Sequence, residues 1–483
     1  MKAAPDSQFE PHTNAGRLLR TLLGYGLPLA AGLALRLWAL RVCFEVAYDA
    51  RVYGGIAKNL LLHTSYALNG AGNELYPTII RLPGYPLFLA CCFKLFGMDN
   101  YFAPCLIQIG LDLVACLLLA DFARRIAHPQ LKNGAAMATL WLAALCPFTA
   151  SYAAMPLTEA PTIFCIALGM WAMARFRVRP GWKLALTFTF AVTYAALLRP
   201  DGALAAVAFA PALVLGVRRT LIQPRRLTRM AAVCALISIS PFAIWTARNW
   251  KTFHVVQPLA PRLAIEPDES PNLGWEHWVR SWCLDYISTY QIYWNVPGSE
   301  LDIDQLPNRA FDSPAQRAET AAIARDYNNN GYDLTPAIDA RFAALARQRI
   351  AAHPLRYYIW LPLGRVADMW LRPRVENLPI DLDWWVYSHH YAETKFSWAW
   401  TGLNALYLLL ALIGVFMRPK LWLPLVAYML LRSALLLTVE APEARYTLEC
   451  FPIIFALAGN ATYLLVNVVF LSVLKLKASL GSD

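Results

Sequence analysis

The sequence predicts an all-α polytopic membrane protein from its composition, its long apolar stretches and the placement of its charges. Hydrophobic residues make up 58% of the 483 residues and the mean hydropathy is +0.39, whereas soluble domains are roughly 45–50% apolar. Several stretches approach the roughly 20 apolar residues that cross a bilayer as a helix. Much of the net charge of +11 lies in short loops between these stretches, which indicates an orientation signal and not a nucleic-acid surface.

We predict about ten transmembrane helices from the apolar stretches. They lie near 21–42, 101–123, 134–153, 160–176, 182–198, 202–217, 229–247, 397–417, 421–438 and 447–473. The apolar run 83–97 is short and begins with Pro and Gly, so we expect it to be an interfacial helix in the first outer loop. A large loop near the C-terminal third of the chain contains helical patterns at 312–349 and 355–371, so we expect it to be partly helical.

The basic residues between the spans all fall on one side of the membrane if 83–97 does not cross it. By the positive-inside rule that side is the cytoplasm, and both termini lie there. The predicted plan is a cytoplasmic N-terminus, a catalytic membrane core containing the first outer loop, a large extracytoplasmic loop, C-terminal helices and a cytoplasmic tail. The corresponding ranges are 1–20, 21–247 with its loop at 43–100, 248–396, 397–474 and 475–483.

Ten cysteines lie mostly inside apolar segments, and none forms a Cys-x-x-Cys pair. We interpret them as small apolar packing residues. The cysteines therefore predict neither a disulfide framework nor a metal site.

Charged residues gather at the predicted outer face, where charge beside hydrocarbon is costly. Asp49 follows the first span and Glu159 begins a later one, while Arg81, Arg199 and Arg445 stand next to Pro or Tyr at outer turns. A single arginine there could simply extend to lipid headgroups. Three at one face favour a shared anionic ligand, because the planar guanidinium binds phosphate oxygens in pairs.

A carboxylate facing arginines at a membrane surface favours glycosyl transfer from a lipid-linked phosphate. The carboxylate would accept a proton from an incoming hydroxyl, and the arginines would stabilise the charge that grows on the departing phosphate. The base lies on the face opposite the leaving group, so the transfer would invert the sugar.

Five short motifs together resemble the C-type superfamily of membrane glycosyltransferases, in the branch of the protein mannosyltransferases and the lipid A aminoarabinose transferase. The motifs are Asp49-x-x-x-Tyr53, Arg81-x-Pro83-x-Tyr85-Pro86, Pro156-Leu157-Thr158-Glu159-Ala160-Pro161, Leu198-Arg199-Pro200-Asp201-Gly202 and Arg445-Tyr446. The resemblance covers most of 20–250 and the final span. Ala50 departs from the pattern, since the family often has a second acid there.

The resemblance implies that Asp49 is the catalytic base and that Glu159 orients the acceptor or the sugar. It implies that the donor is a polyprenyl-phosphate sugar and that further substrate contacts come from the other motif residues. Those around the donor phosphate are Arg81, Arg199, Arg445 and Tyr446, with Tyr53 and Tyr85 as additional contacts. A monophosphate carries little charge to neutralise, so we predict no essential metal and no cofactor.

The expected setting is the extracytoplasmic face of a bacterial inner membrane, with membrane lipid and a glycan, lipid or protein acceptor as partners. One alternative is a surface-polysaccharide polymerase or ligase with a diphosphate-linked donor. Another is a lipid or solute transporter, although transporters tend to show repeats and interrupted helices at the midplane. Three charges lie within spans, namely Arg36, Asp112 and Arg432. For these we favour a structural Asp112–Arg pair over lining of the lipid-phosphate groove.

Overall fold

The structure is a computed structural model that describes residues 14–46, 48–215, 222–261, 271–383 and 390–480. Parts of the predicted cytoplasmic termini, 1–13 and 481–483, lie outside the described residues. The described residues in the first half of the chain form ten α-helices. They are α1 (Asn14–Val42), α2 (Tyr48–His63), α3 (Gly84–Phe96), α4 (Phe102–Ile126), α5 (Lys132–Ala144), α6 (Pro147–Ala153), α7 (Glu159–Phe176), α8 (Trp182–Leu198), α9 (Ala203–Leu215) and α10 (Pro224–Phe253).

The second half of the chain is helical as well. Its helices are α11 (Leu273–Arg280), α12 (Tyr286–Ser288), α13 (Pro314–Asn329), α14 (Pro336–Ala352), α15 (Leu361–Leu371), α16 (Tyr391–Phe416), α17 (Trp422–Leu436) and α18 (Phe451–Leu480). A 3₁₀ segment, Ala444–Cys450, leads directly into α18. The described strands are β1 (Ala67–Asn69) and β2 (Leu75–Pro77), an antiparallel pair in the first outer loop with Leu68 opposite Tyr76.

The all-α prediction is confirmed, while the number of ten spans stays a prediction. Each of the ten predicted spans is mostly helical in its described part, and the one at 134–153 is divided between α5 and α6. By length and composition, four described helices or helical runs could cross a membrane, at 102–126, 224–253, 391–416 and 444–467. A fifth arises if α5 and α6, which are bent by 53° at the break before Pro147, count as one span. The other apolar helices are shorter.

The largest core is built by the apolar helices around α18. Its side chains come mainly from α4, α5, α7, α8, α9, α16 and α18. Small residues allow some of these helices to approach closely. At Gly414 of α16, an added Cβ would stand 2.2 Å from the backbone oxygen of Leu457 in α18, so this crossing requires glycine.

Arg36 of α1 and Asp112 of α4 form the interhelical pair that the sequence analysis favoured. The Arg36 Nη2 lies 2.5 Å from the Asp112 carboxylate, and both side chains are buried. Arg36 also donates to the carbonyl of Ala144 at the end of α5, at 2.7 Å. The pair therefore fixes three helices and does not touch the other charged residues described below.

The segment between α10 and α16 has a separate core of tryptophans. Trp275, Trp278 and Trp282 pack with Phe342 of α14. The predicted helical stretches at 312–349 are observed as α13 and α14, each beginning with Pro at its first turn, a position that tolerates the missing N–H.

Candidate active site

The six main site residues predicted from the sequence all lie at the ends of helical elements. Asp49 is in the first turn of α2, Glu159 is the first residue of α7, and Arg199 directly follows α8. Arg81 precedes α3, and Ala444–Cys450 carries Arg445 and Tyr446. Because helix ends leave room and unpaired backbone groups for charged side chains, five distant segments can place charge in one region.

Asp49 lies between two guanidinium groups. Its Oδ1 accepts from Arg81 Nη2 at 2.6 Å, and its Oδ2 accepts from Arg445 Nη2 at 2.9 Å. Burial by itself would raise the pKa of Asp49, but the charges of Arg445 and Arg81 outweigh it and hold that pKa below the ordinary value of 3.8. The carboxylate is therefore ionised at neutral pH.

Arg445 contacts three carboxylates at once. Its Nε lies 2.6 Å from Glu443 Oε2, and its Nη2 is shared between Asp49 at 2.9 Å and Glu443 Oε1 at 3.1 Å. Its Nη1 lies 3.8 Å from Glu159 Oε1. Arg445 thus connects Asp49 with Glu159, which brings the two predicted acidic residues to one guanidinium.

Glu159 is 1% exposed and is held by Arg199. Its Oε1 accepts from Arg199 Nη1 at 3.0 Å. Its Oε2 is buried and has no hydrogen-bond partner among the described residues. One oxygen of Glu159 thus remains available to a polar group of a ligand.

A second buried arginine closes the far side of the cluster. Arg432 Nη1 lies 2.5 Å from Asp201 and 2.6 Å from Glu449, and its Nε and Nη2 donate to the carbonyl of Tyr446. Glu449 also lies 2.9 Å from Arg199 Nε. These ion pairs connect Arg432 to the same network as Asp49.

The connected ion pairs define what we call the ion-pair network. It comprises Arg81, Arg199, Arg432, Arg445, Asp49, Glu159, Asp201, Glu443 and Glu449. With every group ionised, five carboxylates face four guanidiniums and the network carries one net negative charge. Within the described ranges, no group of three or more His, Cys, Asp or Glu side chains is arranged to hold a metal ion.

The predicted tyrosines surround this network in different ways. The ring of Tyr446 faces the guanidiniums of Arg199 at 5.4 Å and Arg445 at 5.6 Å, and its hydroxyl donates to Glu443. Tyr53 lies under the Arg81 guanidinium at 5.6 Å. Tyr85 is fully buried against Tyr53, and its hydroxyl donates to Gln108, so Tyr85 supports Tyr53 from behind.

Sequence reasoning quoted Asp201 in a motif without giving it a role, missed two further network acids, Glu443 and Glu449, and considered Arg432 only as a charge within a span. A signal was present, because both acids lie within four residues of Arg445 in a segment that leads into an apolar helix. Charges in such a segment are expensive unless they are paired. The presence of an acid on each side of Arg445 could have indicated a network of ion pairs instead of an isolated arginine.

A further arginine holds the segment that carries Arg445. Arg374 is buried and donates to the Ala444 carbonyl at 2.7 Å, to Thr447 Oγ1 at 2.5 Å and to Asn404 of α16 at 3.2 Å. Because a guanidinium has five donors in a rigid fork, one side chain can fix the Ala444–Cys450 segment against α16.

Residues 81–245 of the 483 match the model of the dolichyl-phosphate-mannose-protein mannosyltransferase family. The matched range contains Arg81, Glu159 and Arg199. The match confirms the resemblance to the protein mannosyltransferase branch of membrane glycosyltransferases. A comparison with curated proteins gives no match.

Among solved structures, one similar chain is the archaeal oligosaccharyltransferase AglB from Archaeoglobus fulgidus, in complex with an inhibitory peptide and a dolichol-phosphate. It is 11% identical with a TM-score of 0.48, over 98% of this chain and 52% of that chain. Another is ArnT from Cupriavidus metallidurans, 16% identical over 93% of this chain and 78% of that chain. Its TM-scores are 0.36 in the apo state and 0.30 when bound to undecaprenyl phosphate. The chain spans about half the length of the archaeal enzyme.

Proposed function

We propose that this protein is an integral membrane glycosyltransferase that moves a sugar from a polyprenyl-phosphate donor to a hydroxyl acceptor, with inversion. The reaction would take place at the extracytoplasmic face of a bacterial inner membrane, with both termini in the cytoplasm. The observation that carries the proposal is the Asp49 carboxylate held between Arg81 and Arg445 at the ends of apolar helices. A base and phosphate ligands are the two parts that such a transfer needs.

In the proposed reaction, the acceptor oxygen forms a bond to the anomeric carbon of the sugar while the bond from that carbon to the phosphate oxygen breaks. Asp49 takes the proton of the acceptor hydroxyl, and the polyprenyl phosphate leaves with the bonding electron pair. Arg81 and Arg445 stabilise the charge that develops on the leaving phosphate. The nucleophile and the phosphate lie on opposite faces of the sugar, so the product is inverted.

The low pKa of Asp49 suits its role in one respect and opposes it in another. It keeps the carboxylate ionised, as a base must be, but it also weakens the base. Arg81 and Arg445 supply this effect, and both also face the departing phosphate in the proposed reaction. The negative charge that grows on the phosphate offsets the two guanidiniums, so the carboxylate becomes more basic at the step where it takes the proton.

The other network residues position the substrates. Glu159, with one unpartnered oxygen, accepts a hydrogen bond from a hydroxyl of the sugar or the acceptor. Arg199 and Tyr446 complete the phosphate surroundings beside Arg445, and Tyr53 backs Arg81. The single excess negative charge of the network favours a monoanionic phosphodiester over the diphosphate-linked donor of a polymerase or ligase, since a diphosphate adds more negative charge to a half-buried site.

The test is sugar transfer by the purified full chain in lipid nanodiscs. Labelled undecaprenyl-phosphate hexoses and pentoses are supplied as donors, with an extract of membrane glycolipids and envelope proteins as acceptor. We expect transfer by the wild type and a loss of about 10²-fold or more in Asp49→Asn. The matched control is Asp99→Asn, whose partner is Lys58 outside the network. Absence of transfer with every donor would refute the proposed function. Full activity of Asp49→Asn would refute only the assignment of Asp49 as the base.

A further inference from the structure

Arg445 has no nitrogen atom that is free of a carboxylate neighbour. Its Nε and Nη2, the fork of the guanidinium, lie 2.6 and 3.1 Å from the two oxygens of Glu443, and Nη2 donates to one of them. Its Nη2 also contacts Asp49, and its Nη1 faces Glu159 at 3.8 Å. A phosphate that binds the Nε–Nη2 edge of Arg445 in the bidentate manner that guanidinium favours therefore takes the place of Glu443.

Glu443 is the carboxylate whose geometry most resembles a bound phosphate. Its two oxygens meet the Arg445 fork, and one of them also accepts from the Tyr446 hydroxyl. Asp49 is needed as the base in the proposed reaction, and Glu159 is principally bound to Arg199 at 3.0 Å. Release of Glu443 thus frees the fork of Arg445 and leaves both predicted acids in place.

The charge of the network opposes the arrival of an anion. If all five carboxylates are ionised opposite the four guanidiniums, a phosphate raises the net negative charge of a largely buried cluster. Uncompensated charge in such a place is costly. Uptake of one proton by a network carboxylate offsets the charge of a monoanionic phosphate.

The surroundings of Glu443 favour its protonation. Glu443 is 6% exposed, and burial raises its pKa above the ordinary value of 4.5, against the opposing effect of Arg445 and the Tyr446 hydroxyl, while Asp49 adds to the rise. Among the described residues, the titratable and charged groups that face it come from its own segment, α2, α6 and α12. They are Arg445, Tyr446, Asp49, Tyr152 and Tyr286. Arg445 is the one cation in that set.

We propose that Glu443 takes up a proton from solvent when the donor phosphate binds, and that this transfers the guanidinium fork of Arg445 from Glu443 to the phosphate. The inference rests on the proposed function, since it concerns the phosphate site of the same reaction. Glu443 acts through Arg445 and is a positioning residue. Binding of the lipid phosphate then depends on pH through one carboxyl group.

The test is calorimetric titration of the full chain in nanodiscs with undecaprenyl phosphate at several pH values, in pairs of buffers with different ionisation enthalpies. The lipid phosphate itself titrates near pH 6. The readout is therefore the difference between variants in the number of protons taken up and in the pH dependence of the affinity. Glu443→Gln keeps the shape of the side chain and removes its charge. The matched control is Glu440→Gln, three residues earlier, where the acid pairs with Arg280 outside the network.

We expect the wild type and Glu440→Gln to bind with uptake of one more proton than Glu443→Gln. We also expect their affinity to fall by up to about tenfold per pH unit relative to that variant above neutral pH. A merely structural role of Glu443 would weaken binding at every pH and leave the proton count unchanged. If all three proteins bind with the same proton count and pH dependence, the role of Glu443 is refuted while the proposed function stands. If none binds undecaprenyl phosphate at any pH, the proposed function fails with it.

Discussion

The Nη2 atom of Arg445 lies 2.9 Å from the Asp49 carboxylate, although the two residues are 396 positions apart in the chain. This contact joins the first turn of α2 to the segment that leads into α18. Either charged side chain without the other would be costly to bury in this region. The packing of α2 against the segment that leads into α18 and the electrostatics of the candidate base therefore depend on each other.

Removal of one guanidinium beside Asp49 should move the acid limb of the pH–rate profile to higher pH. The charge of Arg81 lowers the pKa of Asp49, and the active carboxylate is lost as pH falls through that pKa. In Arg81→Gln the pKa rises, so activity is lost at a higher pH than in the wild type. We also expect kcat/KM at pH 7 to fall by about 10²-fold, because a phosphate ligand is lost. The measurement is kcat/KM for the donor from about pH 3 to pH 8, a range that includes the region below the ordinary pKa of Asp49.

Arg51→Gln is the matched control for this prediction. Arg51 lies two residues from Asp49 and is exposed, and its guanidinium donates to the Val46 carbonyl. Its profile should coincide with that of the wild type. An acid limb that stays in place in Arg81→Gln would show that Asp49 is not the group that titrates in the rate.

Glu159→Gln should lower the rate and leave the fold intact. The substitution keeps the side-chain shape, and Arg199 retains Glu449 at 2.9 Å as a partner. We expect kcat to fall by about 10- to 100-fold, which corresponds to one hydrogen bond to a charged group. The measurement separates kcat from KM for donor and acceptor and adds a thermal melt. An unchanged kcat in a stable protein would exclude Glu159 from the reaction.

The ion pairs of this protein show what the sequence could and could not predict. Apolar periodicity and loop charges predicted helices at the spans but neither α2 nor the break between α5 and α6. Asp49 and Arg445 were identified because each stands at the end of an apolar stretch. Their partners depend on distances between segments that are hundreds of residues apart. For that reason Arg432 could be recognised as expensive in a span, while its contacts with Asp201 and Glu449 could not be derived.

The first outer loop also contains contacts that could not be predicted from the sequence, although its residues are close together in the chain. The sequence predicted a short interfacial helix at 83–97, and the structure has α3 at Gly84–Phe96. The β1–β2 hairpin in the same loop was not predicted, since its two strands have only three residues each and carry no alternating apolar pattern. Arg248 of α10 fixes the loop by donating to the carbonyls of Tyr66 and Thr78, a contact that no local pattern indicates.

Disruption of the Arg36–Asp112 pair should destabilise the protein without changing the chemistry of the folded fraction. Asp112→Leu leaves Arg36 buried and uncompensated, which costs about 3–5 kcal/mol. The double variant Arg36→Leu/Asp112→Leu should be less destabilised than Asp112→Leu, because no unpaired charge remains. Thermal unfolding in detergent measures the difference, and sugar transfer per folded molecule should match the wild type. A double variant less stable than Asp112→Leu would contradict this account.

A single methyl group at Gly84 should disturb both the packing and the site. Gly84 begins α3, three residues after Arg81, and lies against the C-terminal end of α8. An added Cβ would stand 2.6 Å from the carbonyl carbon and oxygen of Leu197 and 2.8 Å from the nitrogen of Leu198. These are backbone atoms and cannot rotate away, so Gly84→Ala must push α3 from α8. Since Arg199 directly follows α8, the displacement also separates Arg81 from Arg199.

We expect Gly84→Ala to lose about 1–3 kcal/mol of stability, the usual cost of overpacking, and to lower sugar transfer even in the folded fraction. The control is Gly110→Ala within α4, where an added Cβ would meet nothing within 4 Å. There the substitution should be neutral or stabilise the helix by up to about 1 kcal/mol. Thermal unfolding and transfer rates of the two variants form the measurement. Equal stability and activity of Gly84→Ala and Gly110→Ala would mean that the contact between α3 and α8 does not hold Arg81 in the site.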